Sequence, residues 1–221
     1  MLKQIAHIES LYATKFGVPR QAGLVDAPAR VVFEEEYRVP EAVRGLENFD
    51  YVWLVWGFHL VDNRQWSPTV RPPRLGGNKR MGVFATRSPF RPNPIGLSSV
   101  KLLGVDIDQA LGPVLRVSGA DLVDGTPVYD IKPYLPYADS HPDARGGFAD
   151  KPPVAALHVD DPDGMTDGMT DDLRRSLFAS LAQDPRPHYQ HDPDRIYTIA
   201  FAGREVSFKV VDDTAIIVKK C

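Results

Sequence analysis

MGVFATRSPFRPNPIGLSSV, residues 81–100, places a proline-rich cationic turn between two apolar runs of the kind that form β-strands. Arg87 and Arg91 stand in this stretch, which contains no acidic residue. Proline fixes its own backbone φ and lacks an amide donor, so it belongs in ordered connections outside a sheet ladder. We therefore expect a stiff, positively charged turn between two strands.

Short runs rich in Val, Ile, Leu and aromatic residues recur on both sides of this turn. The predicted strands are residues 5–9, 29–35, 50–61, 81–86, 97–107, 114–122 and 127–135. Many short strands separated by turn signals favour an all-β sandwich or barrel over alternating β and α units. Residues 40–49 are the only segment of this part that predicts a short helix.

The pattern changes near residue 150, where strand-like runs give way to Pro, Gly and Asp. Such a shift is typical of a domain boundary, so we predict domains of residues 1–150 and 151–221. Residues 170–183 begin with a Thr N-cap and two acids, and repeat apolar residues at helical spacing. Three strands are predicted to follow, the first two joined by a turn at Ala202 and Gly203.

Charge is distributed unevenly along the 221 residues, although the net charge is only -3. No Asp or Glu occurs between Asn63 and Val105, and a region of one sign predicts a surface for an anionic partner. An ordinary solvated face is the alternative. The basic residues of this region are Arg64, Arg71, Arg74, Lys79, Arg80, Arg87, Arg91 and Lys101.

Several classes of protein are disfavoured by the sequence. No apolar run reaches the roughly 20 residues of a membrane span, and the first residues lack a signal-peptide core, so we expect a cytoplasmic protein without a membrane partner. The single cysteine, Cys221, excludes an intrachain disulfide. His188 and His191 have the spacing of metal ligands but no evident third ligand, so no metal is expected. The dinucleotide, Walker and zinc-protease motifs are all missing.

Two further turns combine polar side chains with glycine. GVPRQAG, residues 17–23, carries Arg20 and Gln21, and the stretch 121–139 contains an Asp124-Gly125 turn. His59 follows the Trp-rich strand at the end where a barrel commonly opens a ligand site. We expect these turns to converge with the cationic turn at one mouth of the sheet structure.

The three turns together resemble those of the TrmO-type bacterial tRNA methyltransferases. The quoted stretches are VPRQAGLV, RPPRLGGNKRMGVFATRSPFRPNPIGLS and DLVDGTPVYDIKPYLPYAD, and DPRPHYQ (184–190) is similar to the link into that family's C-terminal domain. The resemblance implies a mainly β fold: a non-Rossmann, single-sheet β-barrel domain that binds S-adenosyl-L-methionine, with a small α+β C-terminal domain. It also implies a homodimer that methylates N6 of threonylcarbamoyladenosine at position 37, beside the anticodon, in tRNA-Thr and related tRNAs.

The resemblance also assigns residues to roles. The cofactor would contact Arg20, Gln21, Ala22, His59, Leu60, Arg87, Leu97, Leu122, Val123, Asp124 and Gly125. An Arg suits the methionine carboxylate, and Asp124 or a carbonyl suits its ammonium. A base or acceptor that polarises the N6–H would help the reaction, so the catalytic candidates are Arg87, Asp124, Asp130 and Asn93. The anticodon loop phosphates would meet Arg64, Arg71, Arg74, Lys79, Arg80 and Arg91.

Two other functions remain open on the sequence alone. The basic region would also suffice for an RNA-binding module without catalysis. A methyltransferase that acts on a different acceptor is the second alternative.

Overall fold

The computed structural model describes residues 2–61, 66–151, 157–187, 190 and 192–219. Arg64, His188, His191 and Cys221 lie outside the described residues. The strands are β1 (Ala6–Glu9), β2 (Pro28–Phe33), β3 (Tyr51–Gly57), β4 (Thr69–Val70), β5 (Met81–Gly82), β6 (Ile95–Asp108), β7 (Gly112–Ser118), β8 (Pro127–Pro133), β9 (His158–Asp160), β10 (Tyr197–Phe201), β11 (Arg204–Val211) and β12 (Thr214–Val218). The α-helices are α1 (Pro136–Asp139) and α2 (Asp171–Ala182).

Six strands close into a barrel in the order β1-β2-β7-β6-β3-β8, which confirms the mainly β fold. The long strand β6 makes closure possible because it pairs with β3 over residues 95–101 and with β7 over residues 101–108. The register shifts between Leu102 and Gly104, where a bulge bends the strand from one partner to the other.

The barrel interior is filled by the apolar residues of alternating strand positions. On β6, Gly96, Ser98, Val100 and Leu102 are buried while their neighbours are more exposed. This period of two places one face of each strand inside the barrel. Fully buried members of this core include Ile8, Val31, Leu54, Leu115 and Leu122.

A second sheet, in the order β10-β11-β12-β9, forms the C-terminal part together with α2. The predicted helix is confirmed, and the Thr170 side chain caps it by accepting from the Leu173 amide at 3.4 Å. The predicted three-stranded sheet is wrong by one strand, since β9 adds to β12 in parallel. Strand β9 spans only three residues, too few to show an alternating pattern.

The core of this second sheet also takes residues from the first part of the chain. Tyr12, Val25 and Ala27 are buried with residues of α2 and β10–β12. The Ala202 amide donates to the Leu11 carbonyl at 2.7 Å, and Tyr12 bridges to Phe201. The segment after β1 therefore lies between barrel and sheet, and the boundary near residue 150 stays a prediction.

Two local predictions are wrong. Residues 40–49 form two 3-10 turns, Pro40–Val43 and Leu46–Asn48, and Gly45, whose φ is +87°, lies between them and interrupts a continuous helix. The strand predicted at 81–86 is only β5, which pairs with β4 and leads into a 3-10 turn over Val83–Ala85. The cationic turn therefore connects a short hairpin to the barrel strand β6. In the described part of the chain, no helix has the length and apolar character needed to cross a membrane.

Candidate active site and adjoining groove

A cavity of about 520 Å³ lies at one end of the barrel. Strand β3 ends there and β6 begins there, because the two are antiparallel and pair Trp56 with Gly96. The turn at residues 17–23, the cationic turn and the connection after β7 all contribute to its wall. The structure thus brings together the first turn, the cationic turn and residues on either side of the Asp124-Gly125 turn, but not Asp124 and Gly125 themselves.

A buried chain of hydrogen bonds forms part of this wall. Trp56 donates its Nε1–H to Ser98 Oγ at 3.0 Å, and Ser98 donates its hydroxyl to Asp121 Oδ1 at 2.5 Å. Trp56 and Ser98 are both buried. Since each partner fixes the next, the Asp121 carboxylate has a defined position.

Asp121 is the acidic group of the cavity. Burial raises the pKa of this carboxyl, while the Ser98 hydroxyl, the Arg87 charge and the Ala22 backbone amide act in the opposite direction. Desolvation disfavours the charged form of a carboxylate, which is why burial dominates. A ligand that carries a positive charge would compensate this cost.

Three guanidinium groups, those of Arg20, Arg87 and Arg91, line the same cavity. Arg87 donates through Nη1 to Gln21 Oε1, and Arg20 donates through Nη2 to the Asp184 carbonyl at 3.1 Å. Arg20, Gln21 and Arg87 all belong to the cavity wall. Their fixed, planar donors suit a carboxylate.

His59 lies at the rim, where β3 has ended. Burial, and then the charge of Lys15, lowers the pKa of its imidazole. Lys15 itself donates to the Leu60 carbonyl. The lowered pKa favours the neutral imidazole at pH 7, so Lys15 and the arginines of the wall carry the positive charge of the cavity.

Most residues predicted to contact a cofactor line the cavity. Ala22, Asp124 and Gly125 do not. The Ala22 amide instead acts on Asp121. The predicted residues that line the cavity are Arg20, Gln21, His59, Leu60, Arg87, Leu97, Leu122 and Val123.

The Asp124-Gly125 turn holds the segment that follows β1. Asp124 accepts from the Ser10 amide through Oδ1 at 2.9 Å, and the Asp124 amide donates to the Tyr12 carbonyl at 2.8 Å. The Gly125 amide donates to the Ile8 carbonyl at 2.8 Å. The Asp124 carboxylate thus serves a backbone contact outside the cavity.

The other two catalytic candidates also lie outside the cavity wall. Asp130 forms an ion pair with Lys132 at 2.8 Å. The Asn93 carbonyl accepts from the Ile95 amide at 2.8 Å. Of the catalytic candidates, only Arg87 lines the cavity.

A wide groove of about 1830 Å³ adjoins the cavity. Arg20, Gln21, Thr86 and Arg87 line both spaces. The cationic turn separates them, since Arg91 belongs to the cavity and Phe84 to the groove. A ligand bound in the groove would therefore reach the cavity across Arg87.

The residues predicted to meet phosphates divide between these spaces. Arg71, Arg74 and Arg80 line the groove, whereas Lys79 lines neither space. Arg91 donates through Nη1 to the carbonyls of Thr86 and Ser88 at 3.0 and 3.2 Å. Arg91 therefore holds the conformation of the cationic turn.

Sequence reasoning missed Asp121 and Ser98. The sequence did point to Asp121, because this acid stands between the apolar residues Ala120 and Leu122, which are both buried in the structure. An unexplained acid in such a run needs a partner or a ligand. No group of three or more His, Cys, Asp or Glu residues in the described part of the chain could hold a metal ion.

Comparison with known proteins gives consistent similarities. Residues 7–140 match the family model of the tRNA-methyltransferase O N-terminal domain, and residues 164–220 match that of the TrmO C-terminal domain. The tRNA (adenine(37)-N6)-methyltransferase of Escherichia coli K12 is 45% identical, with 95% of this chain and 93% of that protein covered.

A curated sequence and a crystal structure, both from Pseudomonas aeruginosa, extend these similarities. The sequence, provisionally named an S-adenosylmethionine-dependent methyltransferase, is 44% identical over 88% of this chain and 86% of its own. The crystal structure of TrmO from that species has a TM-score of 0.77 at 32% identity, covering 98% of this chain and 95% of that one.

Proposed function

This chain belongs to the tRNA-methyltransferase O (TrmO) family, and from that premise we propose that it transfers a methyl group from S-adenosyl-L-methionine to N6 of the adenine at position 37 of tRNA. One observation carries the proposal: a small cavity lined by three guanidiniums and the Asp121 carboxylate shares its wall with a large cationic groove. Such a pair of spaces suits a small zwitterionic donor and a polyanionic acceptor.

The cavity residues fit the donor by chemistry. Arg20 and Arg87 match the carboxylate of its methionine part, and Asp121 matches the ammonium. The apolar wall suits the adenosine part, and Trp56 and Phe58 provide edge-to-face rings 4.4 Å apart. A volume of about 520 Å³ falls within the range of pockets for ligands of this size.

The protein's own part in the reaction is mainly alignment. The cofactor, when bound, supplies a methyl group on a positively charged sulfonium that a nitrogen nucleophile displaces in line. Arg87, in the wall shared by both spaces, lies where it can orient the acceptor against the donor. Asp121 takes the ammonium-binding role that the sequence assigned to Asp124, since Asp124 contacts the Ser10 amide.

The finer identity of the acceptor is also proposed. Threonylcarbamoylation acidifies the N6–H of adenosine, so an acceptor that draws on this proton would assist transfer. We propose threonylcarbamoyladenosine in tRNA-Thr and related tRNAs as the substrate.

We also propose a homodimer as the working form. Sedimentation of the purified chain tests this oligomeric state, and a monomer at working concentrations would contradict it.

Two measurements together test the function. Calorimetric titration of the purified protein with S-adenosyl-L-methionine should show saturable binding. Mass spectrometry of tRNA nucleosides from a deletion strain should show loss of N6-methylated threonylcarbamoyladenosine. Absence of binding would favour the RNA-binding module, and binding with unchanged tRNA nucleosides would favour another acceptor.

Arg87→Ala should abolish methylation and weaken cofactor binding about tenfold or more, because a charge-assisted contact to the carboxylate is lost. The variant should stay folded. Arg44→Ala is the matched control, since Arg44 is exposed and pairs only at the surface with Glu41 at 3.7 Å. Turnover retained in the Arg87 variant would contradict the assigned role.

A further inference from the structure

Two phenylalanine side chains in the groove are exposed to solvent. Phe84 is 74% exposed and Phe90 is 45% exposed, and both line the groove. Neither ring belongs to the two hydrophobic cores. Large aromatic side chains left in water within a concave surface indicate a binding role.

The cationic turn holds these rings in place. Arg91 lies over the Phe84 ring, with Cζ 5.9 Å from the ring centroid, while its Nη1 donates to two carbonyls of the turn. The Phe90 amide donates to Ser88 Oγ at 3.3 Å. Hydrogen bonds within the turn therefore fix the backbone that carries both rings, and the Arg91 guanidinium lies over the Phe84 ring.

The charge around the rings selects the chemistry of the partner. Five arginines line the groove, and Asp184, its one acidic residue in the described part of the chain, is paired with Arg186 at 2.8 Å. A partner that satisfies both features carries many negative charges and flat apolar faces. Single-stranded nucleic acid has this combination, because every base offers a stacking face and every linkage a phosphate. The groove arginines are Arg20, Arg71, Arg74, Arg80 and Arg87, of which Arg20 and Arg87 also line the cavity.

The position of the rings relative to the cavity suggests which bases they meet. Phe84 and Phe90 stand three residues before and three residues after Arg87, which lines both spaces. A base that enters the cavity past Arg87 leaves its neighbours in the groove. An adenine inside a stacked loop must leave the stack to reach such a cavity, and its neighbours then lose a stacking partner.

We propose that Phe84 and Phe90 stack on the nucleotide bases that flank the acceptor adenine, replacing the stacking lost when that adenine enters the cavity. The proposal rests on the proposed function for the identity of the acceptor. It makes the groove specific for an opened RNA loop, since bases in a duplex cannot reach the rings.

Phe84→Leu and Phe90→Leu test the stacking because they keep an apolar side chain of similar size. Each should weaken binding of an anticodon stem-loop RNA about tenfold, within the range for loss of one base–aromatic stack. The slope of affinity against salt should not change, because no charge is lost. Arg74→Ala combined with Arg80→Ala should lower that slope instead.

Two controls accompany these variants. Phe84→Trp should retain the affinity, since a larger ring still stacks. Tyr137→Leu removes an aromatic side chain that is 87% exposed on α1 and lines neither space, so it should leave RNA binding unchanged.

A spectroscopic measurement reports the stacking directly. With 2-aminopurine next to the acceptor adenine, the wild-type protein should quench its fluorescence and the Leu variants should quench less. Wild-type RNA affinity in both Leu variants would overturn the proposal. If these variants also changed the oligomeric state in sedimentation, the rings would belong to a contact between copies of the chain instead.

The outcomes separate this proposal from the proposed function. Loss of RNA affinity in the Leu variants of a protein that does not methylate tRNA would support the stacking and overturn the function. Normal tRNA methylation together with wild-type RNA affinity in the Leu variants would support the proposed function and overturn the stacking. Cofactor titration should be the same for all Phe variants, since neither ring lines the cavity.

Discussion

At the scale of single residues, Asp121 combines a cost in stability with a use in binding. Its carboxyl is held by Ser98 and the Ala22 amide, yet burial leaves its pKa above the ordinary 3.8. A carboxyl with a raised folded-state pKa contributes stability below pH 3.8, and this contribution is lost as the pH rises through the folded value. At pH 7 the charged form therefore destabilises the protein without ligand.

Asp121→Asn should raise the thermal midpoint at pH 7 and weaken S-adenosyl-L-methionine binding, because the amide is neutral but can still accept from Ser98. The stability difference should shrink as the pH falls towards 3.8. Thermal melts from pH 3.5 to 8 and calorimetry at pH 7 measure both effects. Ser98→Ala is the companion variant: it removes the hydrogen bond but leaves the charge. A lower midpoint for the Asn variant at pH 7 would show that burial does not govern this group.

At the scale of elements, the pairing of β3 with β6 shapes the cavity. Trp56 and Gly96 are direct partners across the two strands, and both line the cavity. A Cβ at Gly96 would lie 2.2 Å from Trp56 Cε2, so the glycine leaves room for the indole. The indole in turn holds Ser98, which connects strand pairing to the position of Asp121.

Gly96→Ala should destabilise the fold by about 1–3 kcal/mol, the usual cost of forcing extra volume into a packed site. It should also weaken cofactor binding, since the Trp56 ring must move. Gly82→Ala is the matched control, because nothing lies within 4 Å of its Cβ position and its φ of −56° suits alanine. Urea unfolding of both variants measures the effect, and equal midpoints would refute the steric argument.

At the scale of the whole molecule, the segment after β1 joins barrel and C-terminal sheet. Tyr12 is buried, and its hydroxyl and that of Ser180 on α2 form a hydrogen bond of 2.8 Å. The Tyr12 carbonyl accepts from the Asp124 amide of the barrel connection. One residue thus contacts both halves, and the wall of the cavity depends on how they pack.

Tyr12→Phe should destabilise the protein by about 1 kcal/mol, the typical net value of one hydrogen bond. Burial raises the pKa of Tyr12 to about 12. A raised folded-state pKa makes stability fall as the pH rises from about 10 to 12, because the unfolded chain ionises first. Tyr12→Phe should remove this alkaline loss.

A double-mutant cycle of Tyr12→Phe with Ser180→Ala, measured by urea unfolding at pH 7 and pH 11, tests the contact. The coupling should be at least about 0.5 kcal/mol, as for residues in direct contact. Additive effects would mean that the two hydroxyls do not act on each other.

The sequence by itself determined the strand-rich fold, the capped helix, the cationic turn and the three polar turns. These depend on local rules: a period of two, proline geometry and capping chemistry act over a few residues. It misassigned residues 40–49 and 81–86, where Gly45 and the pairing with β4 override the apolar pattern. It also missed β9, which is too short to show a period.

Only the tertiary structure decided which polar residues share the cavity. Asp121 and Asp124 are three residues apart, yet the first lies in the cavity wall and the second contacts the Ser10 amide. Barrel closure places β3 beside β6 and sets Ser98 between Trp56 and Asp121. Burial and long-range hydrogen bonds determine which side chains form a site, and neither can be predicted from the residues next to them in the sequence.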